Sequence, residues 1–182
     1  GTQSRLTFSG GSAETESNGS PQWMPDGRRI AWVRQRKGHD GHDLVIQSLD
    51  ATDSARVVYR ANSLLTLTDV APDGRLIFSE YGLVDADVWS VSDDGAPPVR
   101  LVGGLLAQTS GALSPDGKWI AYVTDESGQR VLMVQSMARP GVRYQISTND
   151  GIKGCGRPTA ARFSSRRTVR CTAPGSKLTG MR

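Results

Sequence analysis

The sequence reads as all-β, a partial β-propeller of about three four-stranded blades plus the outer strand of a preceding blade. Three observations carry that reading. A Pro-Asp-Gly phrase recurs with its Asp-Gly pairs at 26, 73 and 116, which gives periods of 47 and 43 residues. Each phrase runs into a β-branched and aromatic stretch that suits a strand. No segment longer than ten residues shows the spacing of an amphipathic helix.

The elements follow in order. Pro presets φ, Asp bonds its own backbone and Gly takes φ > 0, so each phrase closes a tight turn between a first and a second strand. The turns are Pro25-Asp26-Gly27, Pro72-Asp73-Gly74 and Pro115-Asp116-Gly117. The second strands begin at Arg29-Ile30-Ala31-Trp32-Val33, Leu76-Ile77-Phe78 and Trp119-Ile120-Ala121-Tyr122-Val123. Third strands are expected at Asp43–Ser48, Asp87–Val91 and Arg130–Gln135, and short last strands at Arg56–Tyr59, Val99–Val102 and Arg143–Ile146. Full blades are thus expected over about 20–62, 64–104 and 108–148, within an incomplete propeller spanning 1–150. Arg5-Leu6-Thr7-Phe8 suits the outer strand of the preceding blade. Four short strands per period describe a blade; a flat sheet of twelve strands is disfavoured, and a sandwich does not repeat its turn at this spacing. Trp23, Trp32, Trp89 and Trp119 are expected to fill the space between blades rather than to form a ligand cage.

The pattern Trp/Leu-x-Pro-Asp-Gly-Arg/Lys-x-Ile-Ala-Trp/Tyr-Val closely resembles the β-propeller repeats of the TolB-like family, over roughly residues 1–150. From Ser114 onward the likeness is nearer to one subgroup. Ser114–Val123 runs into Asp125-Glu126-Ser127-Gly128, then Val134-Gln135, Arg139-Pro140-Gly141 and Gln145-Ile146-Ser147-Thr148. This resembles the propeller on the C-terminal side of bacterial serine/threonine protein kinases. Related propellers gate prolyl-oligopeptidase-type peptidases, and others are periplasmic scaffolds of the TolB type. The resemblance implies a non-catalytic binding or sensory module, with a protein or small ligand at the propeller loops, and an extracytoplasmic or periplasmic location if the kinase or TolB likeness holds. Rings of this kind close at about six blades, roughly 240–280 residues, so the chain is expected to be a fragment of a longer open reading frame.

Charge divides the chain. Eight of the 22 Lys+Arg and none of the 18 Asp+Glu lie in 151–182, so residues 1–150 are net −4 and the tail +8. A fourth Asp-Gly is due near 159–163, yet Cys155-Gly156-Arg157-Pro158-Thr159-Ala160-Ala161-Arg162-Phe163 offers neither turn nor strand. The tail is read as frameshifted or disordered: codons begun at the third base of Cys155 permit Trp-Pro-Ala-Asp-Gly-Arg, the missing repeat. A functional basic arm is the remaining alternative, though no nucleic-acid partner is expected. Cys155 and Cys171, with no histidine nearby, make a weak metal or redox pair. No apolar run reaches membrane-spanning length.

Candidate chemistry is sparse. His39-Asp40-Gly41-His42-Asp43 places two imidazoles and two carboxylates in the hairpin between the second and third strands of the first full blade. It could hold a metal if the loop curled, against an ordinary turn. Asp85-Ala86-Asp87 and Asp93-Asp94-Gly95 are placed at equivalent loop positions and could attract calcium, but lack a full calcium-loop spacing. No dinucleotide-binding glycine motif, phosphate-loop lysine or Gly-x-Ser-x-Gly elbow occurs. Hence no catalytic, cofactor-binding or metal residue is assigned, and no cofactor is expected.

Overall fold

In the computed structural model, residues 17–36, 41–50 and 55–147 are described. They form three antiparallel sheets of four strands each, in simple sequence order, with no helix among the described residues. The first sheet holds β1 (Asn18–Trp23), β2 (Arg29–Gln35), β3 (His42–Ser48) and β4 (Arg56–Ala61). The second holds β5 (Leu64–Val70), β6 (Leu76–Tyr81), β7 (Ala86–Val91) and β8 (Val99–Val102). The third holds β9 (Gln108–Leu113), β10 (Trp119–Thr124), β11 (Val131–Ser136) and β12 (Arg143–Gln145). β5 packs against β1, β2 and β3 of the sheet before it, and β9 against β5, β6 and β7. The first strand of each sheet therefore lies innermost, and the sheets succeed one another as the blades of a partial β-propeller.

The packing explains why β6 has a continuous apolar start with no polar face. Successive side chains of a strand point to opposite faces, and an interior blade has a neighbour on both. In β6, Leu76 and Phe78 turn towards the first blade and pack with Ala31, Val33, Leu44, Ile46, Leu65 and Leu67. Ile77, between them, turns the other way and joins Val88, Val102, Ile120 and Tyr122 under the third blade. A continuous apolar run is thus a strand buried on both sides. Gly111 lets β9 approach this face, because a side chain there would collide with Val88.

Each Asp-Gly turn is built alike. The amide of Gly27 donates to Met24 O, that of Gly74 to Ala71 O and that of Gly117 to Ser114 O, at 2.8–3.0 Å. The three glycines have φ of 65°, 88° and 68°, the left-handed region where L side chains are strained. Register shifts mark the innermost strands, between Gly19 and Gln22 and between Leu67 and Asp69, and in β9 opposite Ala121 and Val123. Ser20 (φ 52°) and Ser110 (φ 58°) sit in the first and last of these bulges, at equivalent places in their blades.

Polar bonds pin blade to blade. Thr68 Oγ1 lies 2.6 Å from Gly111 O and 3.1 Å from Ile77 O, so its proton is shared between carbonyls of adjacent blades. The amide of Ser110 donates to Ser79 Oγ and that of Leu113 to Asp69 Oδ2. Between the first and second blades, Tyr59 Oη and Ser63 Oγ both donate to Glu80, at 2.9 and 2.6 Å.

The tryptophans divide. Trp32 is buried and donates from Nε1 to Asn18 Oδ1, and Trp89 packs against the cluster between the first two blades. Trp23 is 55% exposed at the end of β1, and half-buried Trp119 pairs with Tyr144 of its own blade, ring centroids 6.1 Å apart. These two do not fill an inter-blade space. Trp119 stands where Arg29 and Arg75 stand in the other blades, each closing the turn by offering its carbonyl to the residue that precedes the turn. Arg5–Phe8 and the 151–182 tail lie outside the described residues.

Candidate functional site

The three blades present loops at two ends, and the ends differ chemically. At the Asp-Gly end the carboxylates are occupied locally. Asp26 Oδ1 accepts from the amides of Arg28 and Arg29 at 2.8 and 3.0 Å, and the backbone bond from Arg28 leads in holding its carboxyl down at about 2. Asp116 accepts from Ser114 Oγ at 2.6 Å and from the Lys118 amide, which likewise hold its pKa low. Asp93, in the β7–β8 turn, joins two blades: Arg29 Nη1 lies 2.7 Å from its Oδ2, and Arg56 Nη1 donates to its carbonyl. These groups cap turns and close seams.

The opposite end brings together the β6–β7 loop (82–85), the β8–β9 connection (103–107) and the start of the β10–β11 loop (125–126). An isolated bridge pairs Ala86 with Ala107, and the Ala107 amide donates to Asp125 Oδ1 at 3.0 Å. Gln108, fully buried at the start of β9, donates from Nε2 to Glu126 Oε1 at 3.3 Å, and its Oε1 has no partner. Asp87 receives Arg100 Nη1 on Oδ2 at 3.2 Å while its buried Oδ1 is unpaired. Glu126 receives Arg143 Nη1 on Oε2. Around these polar groups stand Leu83 (104% exposed), Val84 (86%), Leu105 (92%) and the less exposed Leu106.

The residues singled out from sequence fall as follows. His39 and Asp40 lie outside the described residues. His42 Nδ1 is 3.0 Å from Ser63 O, and Asp43 is buried with Arg34 Nη2 2.9 Å from its Oδ2, so both are engaged in the blade itself. Asp85 and Asp87 do not share an end with Asp93 and Asp94. β7 runs from beside Asp85, through Asp87 near its start, to just before Asp93, which sets the two pairs at opposite ends of the second blade and corrects the expectation of equivalent loop positions. Asp94 accepts from the Ala96 amide, which lowers its pKa. Among the described residues, no group of three or more His, Cys, Asp and Glu is placed to hold a metal ion. No described helix is long and apolar enough to cross a membrane. Cys155 and Cys171 are outside the described residues.

Sequence reasoning passed over Leu83, Val84, Leu105 and Leu106, whose signal is nonetheless present. Each pair is an apolar doublet following glycine, in Gly82-Leu83-Val84-Asp85 and Gly103-Gly104-Leu105-Leu106, where a connection is ordinarily polar.

The geometry defines a propeller segment with loops at two ends. The chain matches no family model and no curated protein. Among solved structures it is similar to TolB from Acinetobacter baumannii, at 18% identity and a TM-score of 0.61 over 72% of this chain and 32% of that one. It is similar to a puromycin hydrolase, at 18% identity and a TM-score of 0.55 over 74% of this chain and 22% of that one. It is also similar to a putative TolB from Agrobacterium tumefaciens, at 16% identity and a TM-score of 0.50 over 72% of this chain and 62% of that one. The fold is a TolB-like partial β-propeller, and the chain spans about a third of the first TolB and about a fifth of the hydrolase.

Proposed function

We propose that this chain is a non-catalytic propeller segment that binds a protein or a small ligand at its loops. The observation that supports the reading is the end formed by 82–85, 103–107 and 125–126. Three connections from two blades are tied together there by the Ala86–Ala107 bridge and the Ala107–Asp125 bond, yet they leave apolar side chains in solvent. Rigid strands carrying exposed, chemically mixed loops suit recognition. On this reading the parent protein supplies any catalysis.

Two origins for such a segment have support of their own. The likeness to a puromycin hydrolase favours a substrate-gating propeller of a serine peptidase, and the likeness to TolB favours a scaffold. A place beside a bacterial kinase domain rests on the motifs from Ser114 to Thr148.

The test is a ligand screen by thermal shift on the full chain, with hits mapped by hydrogen exchange. Protection gathered in loops at one end supports the reading. No hit across peptide and metabolite libraries, or protection confined to strand centres, refutes it.

A further inference from the structure

We propose that the end of the second and third blades formed by 82–85, 103–107 and 125–126 is a docking site for a peptide segment that carries cationic side chains among apolar ones. The proposal rests on the loop-binding reading above and specifies the place and the partner's chemistry.

Three independent features converge. The first is the apolar rim. Leu83 and Val84 come from one connection and Leu105 and Leu106 from another, and the bridge between Ala86 and Ala107 sets the two side by side. None of the four belongs to an inter-blade core, so their burial is left for a partner to provide.

The second is a pair of buried acceptors without donors. Asp87 Oδ1 and Gln108 Oε1 are both unpaired, and both lie under the Gly103–Gly104 backbone. The carboxylate of Glu126 takes the amide nitrogen of Gln108, which fixes the orientation of that amide and leaves its oxygen as the free atom. A buried oxygen that has surrendered water and gained no donor is costly, and a partner's N–H group relieves it where the Gly103–Gly104 backbone over it shifts aside.

The third is charge. Asp85 and Asp125 form no ion pair among the described residues, while Asp87 has Arg100, Glu126 has Arg143, and Arg130 stands across the hairpin from Asp125, next to the Thr124–Val131 pair. The four carboxylates of Asp85, Asp87, Asp125 and Glu126 outnumber the guanidinium groups of Arg100, Arg130 and Arg143, and Asp85 is left to an incoming ammonium or guanidinium group. A metal ion fits poorly, since no three ligating side chains converge and two arginines already attend the carboxylates. A polyanion meets four carboxylates that outnumber the three arginines. A lysine or arginine flanked by leucine or valine supplies N–H donors to the carboxylates at the surface and apolar area to the rim.

The experiment is fluorescence anisotropy of the full chain against a short fluorescein-labelled peptide alternating leucine and lysine. The controls are the same peptide with glutamate for lysine, and with serine for leucine. Each control is expected to bind about tenfold more weakly. Combining Val84→Ser with Leu105→Ser is expected to weaken the leucine–lysine peptide about fivefold, and Asp85→Asn about threefold. All three positions are outside the core, so circular dichroism stays that of the parent. Lys118→Ser, at the Asp-Gly end, leaves affinity unchanged.

Equal binding of the lysine and glutamate peptides overturns the proposal, as does indifference to Val84→Ser with Leu105→Ser, or no binding at all. Hydrogen-exchange protection by the peptide at the Asp-Gly turns sinks this site while leaving the broader loop-binding reading intact. If the screen described above also finds no ligand at either end, both fail.

Discussion

Replacing Phe78 by alanine tests the face-to-face packing of blades most directly. Its ring is fully buried on the side of β6 that meets the first blade, 5.1 Å from the ring of Tyr59 and surrounded by Leu44, Leu65, Leu67 and Leu76. Removing a phenyl group from such a place costs its transfer free energy plus that of the cavity, about 3–5 kcal/mol. The sheets cannot easily close the gap, because Tyr59 and Ser63 hold Glu80 while Arg29 and Arg56 hold Asp93 on either side of it. We therefore expect a loss of about 4 kcal/mol, close to a thousandfold in the folding equilibrium. Urea unfolding followed by tryptophan fluorescence reads it, since Trp89 stands opposite Phe78 in the strand register. With a slope of about 2 kcal/mol/M, the midpoint falls by about 2 M and the slope is unchanged. Val134→Ala, on the half-buried outward side of the third blade, serves as the comparison and costs about 1 kcal/mol. A Phe78→Ala loss no larger than that of Val134→Ala would show that the first two blades do not pack as described.

Two further outcomes concern the seams and turns. Burial pushes the Asp69 carboxyl up against the bonds it accepts from Leu113 and Val70. The fold therefore holds its proton more tightly than the unfolded chain does, and stability rises as pH falls from the raised folded value to the ordinary one near 4. Asp69→Asn abolishes that rise, measured as the difference between the two proteins' stability–pH curves; parallel curves would disprove it. Asp26 has the opposite sign, its stabilisation being complete above about 4 and lost as pH falls through about 2. Gly117→Ala meets no atom within 4 Å, so its cost is the backbone strain at φ 68° alone, about 1–2 kcal/mol by urea titration. A neutral Gly117→Ala would mean that the turn is not left-handed.

The repeating module was legible because its signals are local. Pro-Asp-Gly specifies a turn by the dihedrals its residues accept, and the strands read from sequence at 43–48, 87–91 and 99–102 lie within β3, β7 and β8 or coincide with them. What escaped depends on parity and on neighbours in space. Trp23 looked like core because tryptophan usually is, but at the end of an innermost strand it faces solvent. The bulges at Ser20 and Ser110 left no trace, since serine is an ordinary strand-end residue until the register shift forces its φ positive. The two aspartate pairs of the second blade looked equivalent along the sequence, whereas the six-residue strand β7, with Asp87 near its start and Asp93 past its end, carries each pair to its own end.

The contrast between the two ends follows from how their carboxylates are used. At the Asp-Gly end, hairpin turns are short enough for each aspartate to reach amides two or three residues on, so Asp26, Asp73 and Asp116 are satisfied by their own chain. At the other end the β8–β9 connection must cross from the outer strand of one blade to the inner strand of the next. That span passes over the neighbouring sheet's edge, and its backbone separates Asp87 from Gln108 instead of bonding to their free oxygens. Acceptors are therefore left over where the chain changes blades, beside the same connection that lifts Leu105 and Leu106 into solvent. In this chain the crossing from the second to the third blade holds unspent polar and apolar groups together, and a partner docking there has chemistry to work with.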